Sequence, residues 1–231
     1  MQRNYFKNVM TLAIVAVASL AMTAQANAAL VKIDLSANSG SASGYDVFSA
    51  DGGPTSVTDW SGGGDNDVTL SITGILGNNN PAAAGATTVD GITVPLEANN
   101  DYVWGDSPAN SGSILFEFKN LDAGSYNASV FAGRTNDSNQ EGTIWVGALG
   151  DEPGKNTGDF ANSSATLLVS VGASDSLFYR HSPGTDWVGG TSGIILNPIA
   201  ESGQVPEPTT VALLGVGGLM MLKRRRRQSA M

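Results

Sequence analysis

Ser113-Ile114-Leu115-Phe116-Glu117-Phe118-Lys119-Asn120-Leu121-Asp122-Ala123-Gly124-Ser125-Tyr126 decides the fold of this chain. Ile114, Phe116 and Phe118 recur with a period of two, which puts them on one face of a strand. Asn120 to Ser125 has the composition of a turn. The chain then returns as a second strand, Tyr126 to Gly133. Tyr126, Ala128, Val130 and Ala132 share one face of it, and Ser129 and Phe131 the other. Working outward, Thr143 to Ala148, Ala165 to Val171, Ser176 to Tyr179 and Gly193 to Asn197 read as further strands. Upstream, Leu30 to Leu35, Val68 to Ile75 and Gly91 to Val94 do the same. No convincing amphipathic helix separates them. Short strands at this spacing predict an all-β protein, a β-sandwich.

The segment Phe116-Glu117-Phe118-Lys119-Asn120-Leu121-Asp122-Ala123-Gly124-Ser125-Tyr126 resembles a strand–turn–strand of galactose-binding-like jelly rolls. Phe131-Ala132-Gly133-Arg134 and the late Ser192-Gly193-Ile194-Ile195-Leu196 extend the similarity to about 90 residues. The resemblance implies a jelly-roll-like sandwich, often a glycan-binding or adhesive module and sometimes a structural accessory. No ligand-binding residue of that family maps onto this chain.

Both ends of the chain read as targeting devices. Arg3 and Lys7 form a basic region before the apolar stretch Val9 to Met22. Ala24-Gln25-Ala26 or Ala26-Asn27-Ala28 then supplies a cleavage site, with the second favoured. Residues 1–28 are thus expected to be a signal peptide, 29–204 the β-sandwich domain, and 205–231 a sorting signal. In that last segment Val205-Pro206-Glu207-Pro208 precedes an apolar run, Thr209 to Leu222, and a basic stop, Lys223-Arg224-Arg225-Arg226-Arg227. A helix of about 14 residues spans about 21 Å, short of the roughly 30 Å hydrocarbon core. It can cross as a short transmembrane helix if the terminal cations snorkel to the interface. Five consecutive cations belong in the cytoplasm, so the residues before Val205 would lie outside the inner membrane. The two prolines keep the motif extended and open to a processing enzyme.

This tail resembles the bacterial PEP-CTERM sorting signal, carried by Val205, Pro206, Glu207 and Pro208 together with the apolar run and the arginine cluster. The same tail is also known as an ice-binding protein C-terminal domain, a label that says nothing about ice here. The resemblance implies recognition by an exosortase and cleavage near the motif. It further implies passage from a transient inner-membrane anchor to the cell surface or extracellular matrix of a Gram-negative bacterium.

Charge narrows the function of the body. Residues 29–204 keep 5 of the 12 basic and 20 of the 21 acidic residues, a formal charge of −15. Such a body has no basic footprint for nucleic acid and suits a secreted protein that holds divalent cations. There are no cysteines, which removes thiol nucleophiles, thiolate metal sites and disulfides. A body of this length buries a sufficient core without cross-links.

Individual candidates are few. His181 is the sole histidine, and no Gly-x-Ser-x-Gly elbow accompanies it, so it is expected to be a loop residue in the Arg180-His181-Ser182-Pro183 turn. Two of the 20 carboxylates would suffice for glycoside hydrolysis, but no pair stands out. Gly63-Gly64-Asp65-Asn66-Asp67 sets hard oxygen donors on a loop, which points to a structural calcium at Asp65 and Asp67. Trp60, Trp104 and Trp187 fall in Gly/Asp-rich loops, and Trp145 in a strand pattern that suits the core. Trp60 and Trp187 are the candidates for stacking on sugars. The expected function is an exported, non-enzymatic surface or matrix protein associated with extracellular polysaccharide through weak glycan binding. The alternatives are a secreted carbohydrate-active enzyme and a purely structural or adhesive matrix component.

Overall fold

The computed structural model describes residues 28–36, 40–62, 67–79, 85–105, 113–132, 140–151, 154–158, 160, 163–183 and 190–199. The strands begin with β1 (Val31–Leu35), β2 (Asp46–Phe48), β3 (Gly52–Ser56) and β4 (Thr69–Thr73). Next come β5 (Gly77–Asn79), β6 (Thr87–Val89), β7 (Ile92–Val94), a short helix α1 (Leu96–Asn99) and β8 (Tyr102–Trp104). The second half holds β9 (Ile114–Lys119), β10 (Gly124–Phe131), β11 (Gln140–Gly147) and β12 (Lys155–Asn156). It closes with β13 (Ser164–Val171), β14 (Ser176–Pro183), β15 (Gly190–Thr191) and β16 (Gly193–Pro198). All nine strands expected from the sequence are present, with ends shifted by a few residues. Among the described residues the one helix is the four-residue α1.

Two sheets carry the body. The first has the order β13-β10-β16-β1-β2, antiparallel except for the parallel β1–β2 pair. The second has the order β12-β11-β14-β9-β4-β3 and is antiparallel throughout. Pro54 sits in β3, an edge strand, where its missing N–H costs no ladder bond. One core takes side chains from both sheets. Val31, Ile33, Leu35, Tyr126, Ala128, Val130, Ile194 and Leu196 enter from the first. Leu70, Ile72, Ile114, Phe116, Phe118, Ile144, Leu177 and Tyr179 meet them from the second. Two faces packed in this way make a β-sandwich.

The turn between β9 and β10 shows why its residues are what they are. Asn120 adopts φ 60°, a left-handed conformation that asparagine tolerates better than most residues. Its side-chain amide donates to the Asp67 carbonyl, 3.0 Å away. Leu121 turns inward and is buried, while the buried Tyr126 donates its hydroxyl back to the Asp122 carbonyl at 3.0 Å. The stretch thus pins its own crossover from the second sheet to the first.

A second apolar cluster covers the outer face of the first sheet. Phe131 and Ile195 point that way and meet Ala42, Tyr45, Val89, Val94 and Ala98. The covering strap is the β6–β7 hairpin with α1. Its turn, Asp90-Gly91, has φ 49° and 75°, a pairing that fits the twist of a two-residue hairpin. Asp90 fastens the strap to the sheet by accepting from Asn127 of β10 at 2.9 Å and Asn197 of β16 at 2.7 Å.

Candidate functional site

Three side chains gather where β1, the segment before β2 and the turn after β3 meet. Lys32 alternates with the inward Val31 and Ile33, so it faces outward from the first sheet. Its Nζ lies 5.0 Å from the ring centroid of Tyr45 and 5.0 Å from that of Trp60. Both contacts fall within cation–π range. Burial lowers the Lys32 pKa. Lys32 has no carboxylate partner among the described residues, whereas Lys119 pairs with Glu117 at 3.1 Å. Gly44, at φ +81°, leaves the ammonium open: a Cβ there would stand 3.3 Å from Nζ.

The surroundings hold these rings in place. The Trp60 backbone N–H donates to the Leu30 carbonyl at 2.8 Å, and the Leu30 N–H donates to Asp59 Oδ1 at 3.0 Å. Asp59 also accepts from the N–H and hydroxyl of Ser61, each at 2.8 Å. Trp60 is thereby tied to β1 while its indole stays part-exposed. Its indole N–H is buried without an acceptor. Tyr45 donates its hydroxyl to the Thr93 carbonyl at 3.3 Å. Burial, with the nearby Asp34 charge, pushes the Tyr45 phenol up to about 12.

Asp34, two residues along the same face, is fully buried. One carboxylate oxygen accepts from the Ala42 N–H at 3.1 Å, and the other has no partner. Burial raises its pKa to about 7 against the lowering effect of that hydrogen bond, and the charges of Asp101 and Glu97 add to the rise.

The outer face of the second sheet carries another ladder. Trp145 of β11 stacks on its cross-strand partner Phe178 of β14, centroids 5.0 Å apart and planes 10° from parallel. Arg180 lies over the same indole at 5.7 Å. Trp145 is 4% exposed, buried as its strand pattern suggests, but outside the apolar clusters between and above the sheets. It offers no open stacking surface.

Other sequence candidates stand as follows. Trp60 is in a turn and part-exposed. Trp104 is on β8 rather than in a loop, with Gly77 against its ring; its short pairings to β5 and β15 are too brief to show in a hydropathy pattern. His181 corrects its expected loop assignment. It lies in β14, fully buried, with Nδ1 3.1 Å from the Tyr179 hydroxyl and the Phe160 ring edge-on. Its inward position follows from the alternation Leu177, Tyr179, His181, which continues past the point where the hydrophobic run ends.

Of the calcium candidates, Asp67 is exposed and gives its carbonyl to Asn120, while Asp65 lies outside the described residues. Among the described residues no three acidic or histidine side chains converge as a metal site. Trp187, the signal-peptide segment, Val205 to Pro208, the apolar run and Lys223 to Arg227 also lie outside the described residues. Within them no helix is long and apolar enough to cross a membrane.

Sequence comparison supplies what this geometry cannot. The body is an all-β sandwich attached to a tail of a different kind, and a protein-family model, the PEP-CTERM protein-sorting motif, matches residues 204–227. The chain therefore carries the signal of an exported protein that exosortase sorts from a membrane-anchored precursor. No curated protein matches the chain at a significant level.

Proposed function

We propose that the protein is a non-enzymatic component of the cell surface or extracellular matrix of a Gram-negative bacterium, released there after exosortase cleavage and associated with exopolysaccharide. The strand order supports a jelly-roll reading of the body. One sheet runs β1-β16-β10-β13 and the other β9-β14-β11-β12. Taken in chain order, these eight strands cross between the sheets as two interlocked Greek keys do. The β3–β4 hairpin extends the second sheet beyond β9.

The observation that carries the glycan reading is Trp60. It is part-exposed, yet backbone hydrogen bonds tie it to β1. An indole carried on an anchored backbone presents apolar area to a sugar ring at reduced ordering cost.

The test is co-sedimentation of the purified protein with a panel of insoluble bacterial and plant polysaccharides. At least one polymer should retain it, and Trp60→Ala should weaken retention about tenfold, as loss of an aromatic–sugar stack would. Retention unchanged by that substitution refutes the site. Retention by no polymer leaves a structural or adhesive matrix role as the better account.

A further inference from the structure

We infer that the Trp60–Lys32–Tyr45 cluster is a subsite for an acidic sugar, whose ring packs on the part-exposed indole while its carboxylate pairs with the Lys32 ammonium. This rests on the glycan reading above and names the class of sugar.

Cations are scarce in the body, which carries a formal charge of −15 with only 5 basic residues. Three described cations besides Lys32 are engaged. Lys119 pairs with Glu117, Lys155 donates to the Leu168 carbonyl, and Arg180 lies on Trp145. Lys32 alone among these lies against two aromatic rings with no oxygen partner. Of the three described lysines, Lys119 pairs with a carboxylate and Lys155 with a carbonyl, which leaves Lys32 as the one whose contacts are aromatic rings.

The competing reading is that the rings exist to stabilise the lysine. Cation–π contact does favour the ammonium, but it leaves all three N–H donors without an acceptor among the described residues, and a lysine ammonium is strongly hydrated. A carboxylate would supply charge-assisted hydrogen bonds to these donors. Gly44 keeps that approach clear, since any Cβ would stand against Nζ. The indole beside it offers the apolar face that sugar rings use. Charge and stacking surface thus sit side by side, the two features by which a hexuronate differs from water and from a simple anion.

The acidity of the body sharpens this. A polyanion cannot be gathered by the overall field of a protein that is itself strongly negative. Any acidic polysaccharide it retains must be held at a local site, and Lys32 is the cation placed for it.

The probe is polygalacturonate, compared with the same polymer fully methyl-esterified, which keeps the sugar ring and removes the charge. Binding of the purified protein to each, immobilised, is measured with Lys32→Gln and Lys32→Arg variants. Thermal melts confirm that both variants fold. The acidic polymer should bind about tenfold tighter than its ester, the value of one charge-assisted contact. Lys32→Gln should abolish that preference while leaving ester binding in place, and Lys32→Arg should retain it. Equal binding of acid and ester, abolished by Trp60→Ala, overturns the acidic-sugar inference and leaves the glycan site standing. A preference that survives Lys32→Gln overturns the assignment to this lysine. Binding to neither polymer, with neutral glycans still retained, overturns the inference alone. Retention of nothing overturns both readings.

Discussion

Asp34→Asn should remove one destabilising contribution that grows as pH rises. Asp34 is fully buried, with one oxygen held by the Ala42 N–H and the other without a partner. Its pKa rises from 3.8 to about 7 in the folded protein. The folded state therefore binds the proton more tightly than the unfolded chain does. Stability from this group is complete below pH 3.8 and is lost as pH climbs through about 7. A tenfold difference in proton affinity between the two states is worth about 1.36 kcal/mol, so the full loss has an upper bound of about 4 kcal/mol. Part of it is already gone by pH 5. Between pH 5 and 8.5 about 2–3 kcal/mol remains to be lost.

Asparagine has the same shape, accepts from the Ala42 N–H and carries no charge. The variant should resemble the wild type at pH 4 and exceed it at pH 8.5. For a body of this length the gap corresponds to about 5–10 °C in Tm. Thermal melts of both proteins across pH 4–8.5, taken as a difference, cancel the other 19 carboxylates of the body. A flat difference, or a wild type that gains on the variant as pH rises, would refute the reasoning. It would mean that Asp34 is charged and adequately solvated in the folded protein.

Three further outcomes are expected. Gly193→Ala should destabilise by about 1–3 kcal/mol, the range for overpacking, because its Cβ would run into the Phe131 ring and the Ile33 carbonyl; a chemical denaturation midpoint equal to wild type counts against it. Mass spectrometry of the exported protein should find a C-terminus near Val205–Pro208 with Arg224 to Arg227 gone, and retention of those arginines rules out processing at the motif. A structural calcium at Asp65 and Asp67 should make Tm fall on adding EGTA, and an unchanged Tm sinks that site.

Much of the sandwich is legible in the sequence, and the reason is local. β9 and β13 alternate cleanly, because one side of each meets the shared core, while β10, β14 and β16 keep the same inward period with some outward residues buried as well. The Asn120–Tyr126 turn is legible as well, since a left-handed residue, a buried leucine and a returning tyrosine each leave a compositional trace. Strands β2, β5, β8, β12 and β15 are not legible. They have two or three residues each, too few for a period of two to show, and their pairings are fixed by partners far away in sequence.

The candidate site is illegible for a different reason. Alternation assigns Lys32 and Asp34 to the outward face of β1, which in a two-layer sandwich means solvent. Here that face is roofed by residues 42–45 and 89–98, and nothing in the pattern of β1 announces a third layer. Asp34 consequently acquires a raised pKa at a position that reads as an ordinary surface acid. Lys32 acquires two aromatic neighbours, Tyr45 and Trp60, 13 and 28 residues away. Trp60 itself is singled out by its loop setting, but a lone loop tryptophan does not reveal the cation beside it. The signal that could have pointed here is the charge inventory. With 5 basic residues in a body of −15, a lysine within a short, largely buried strand is uncommon enough to warrant asking what it faces.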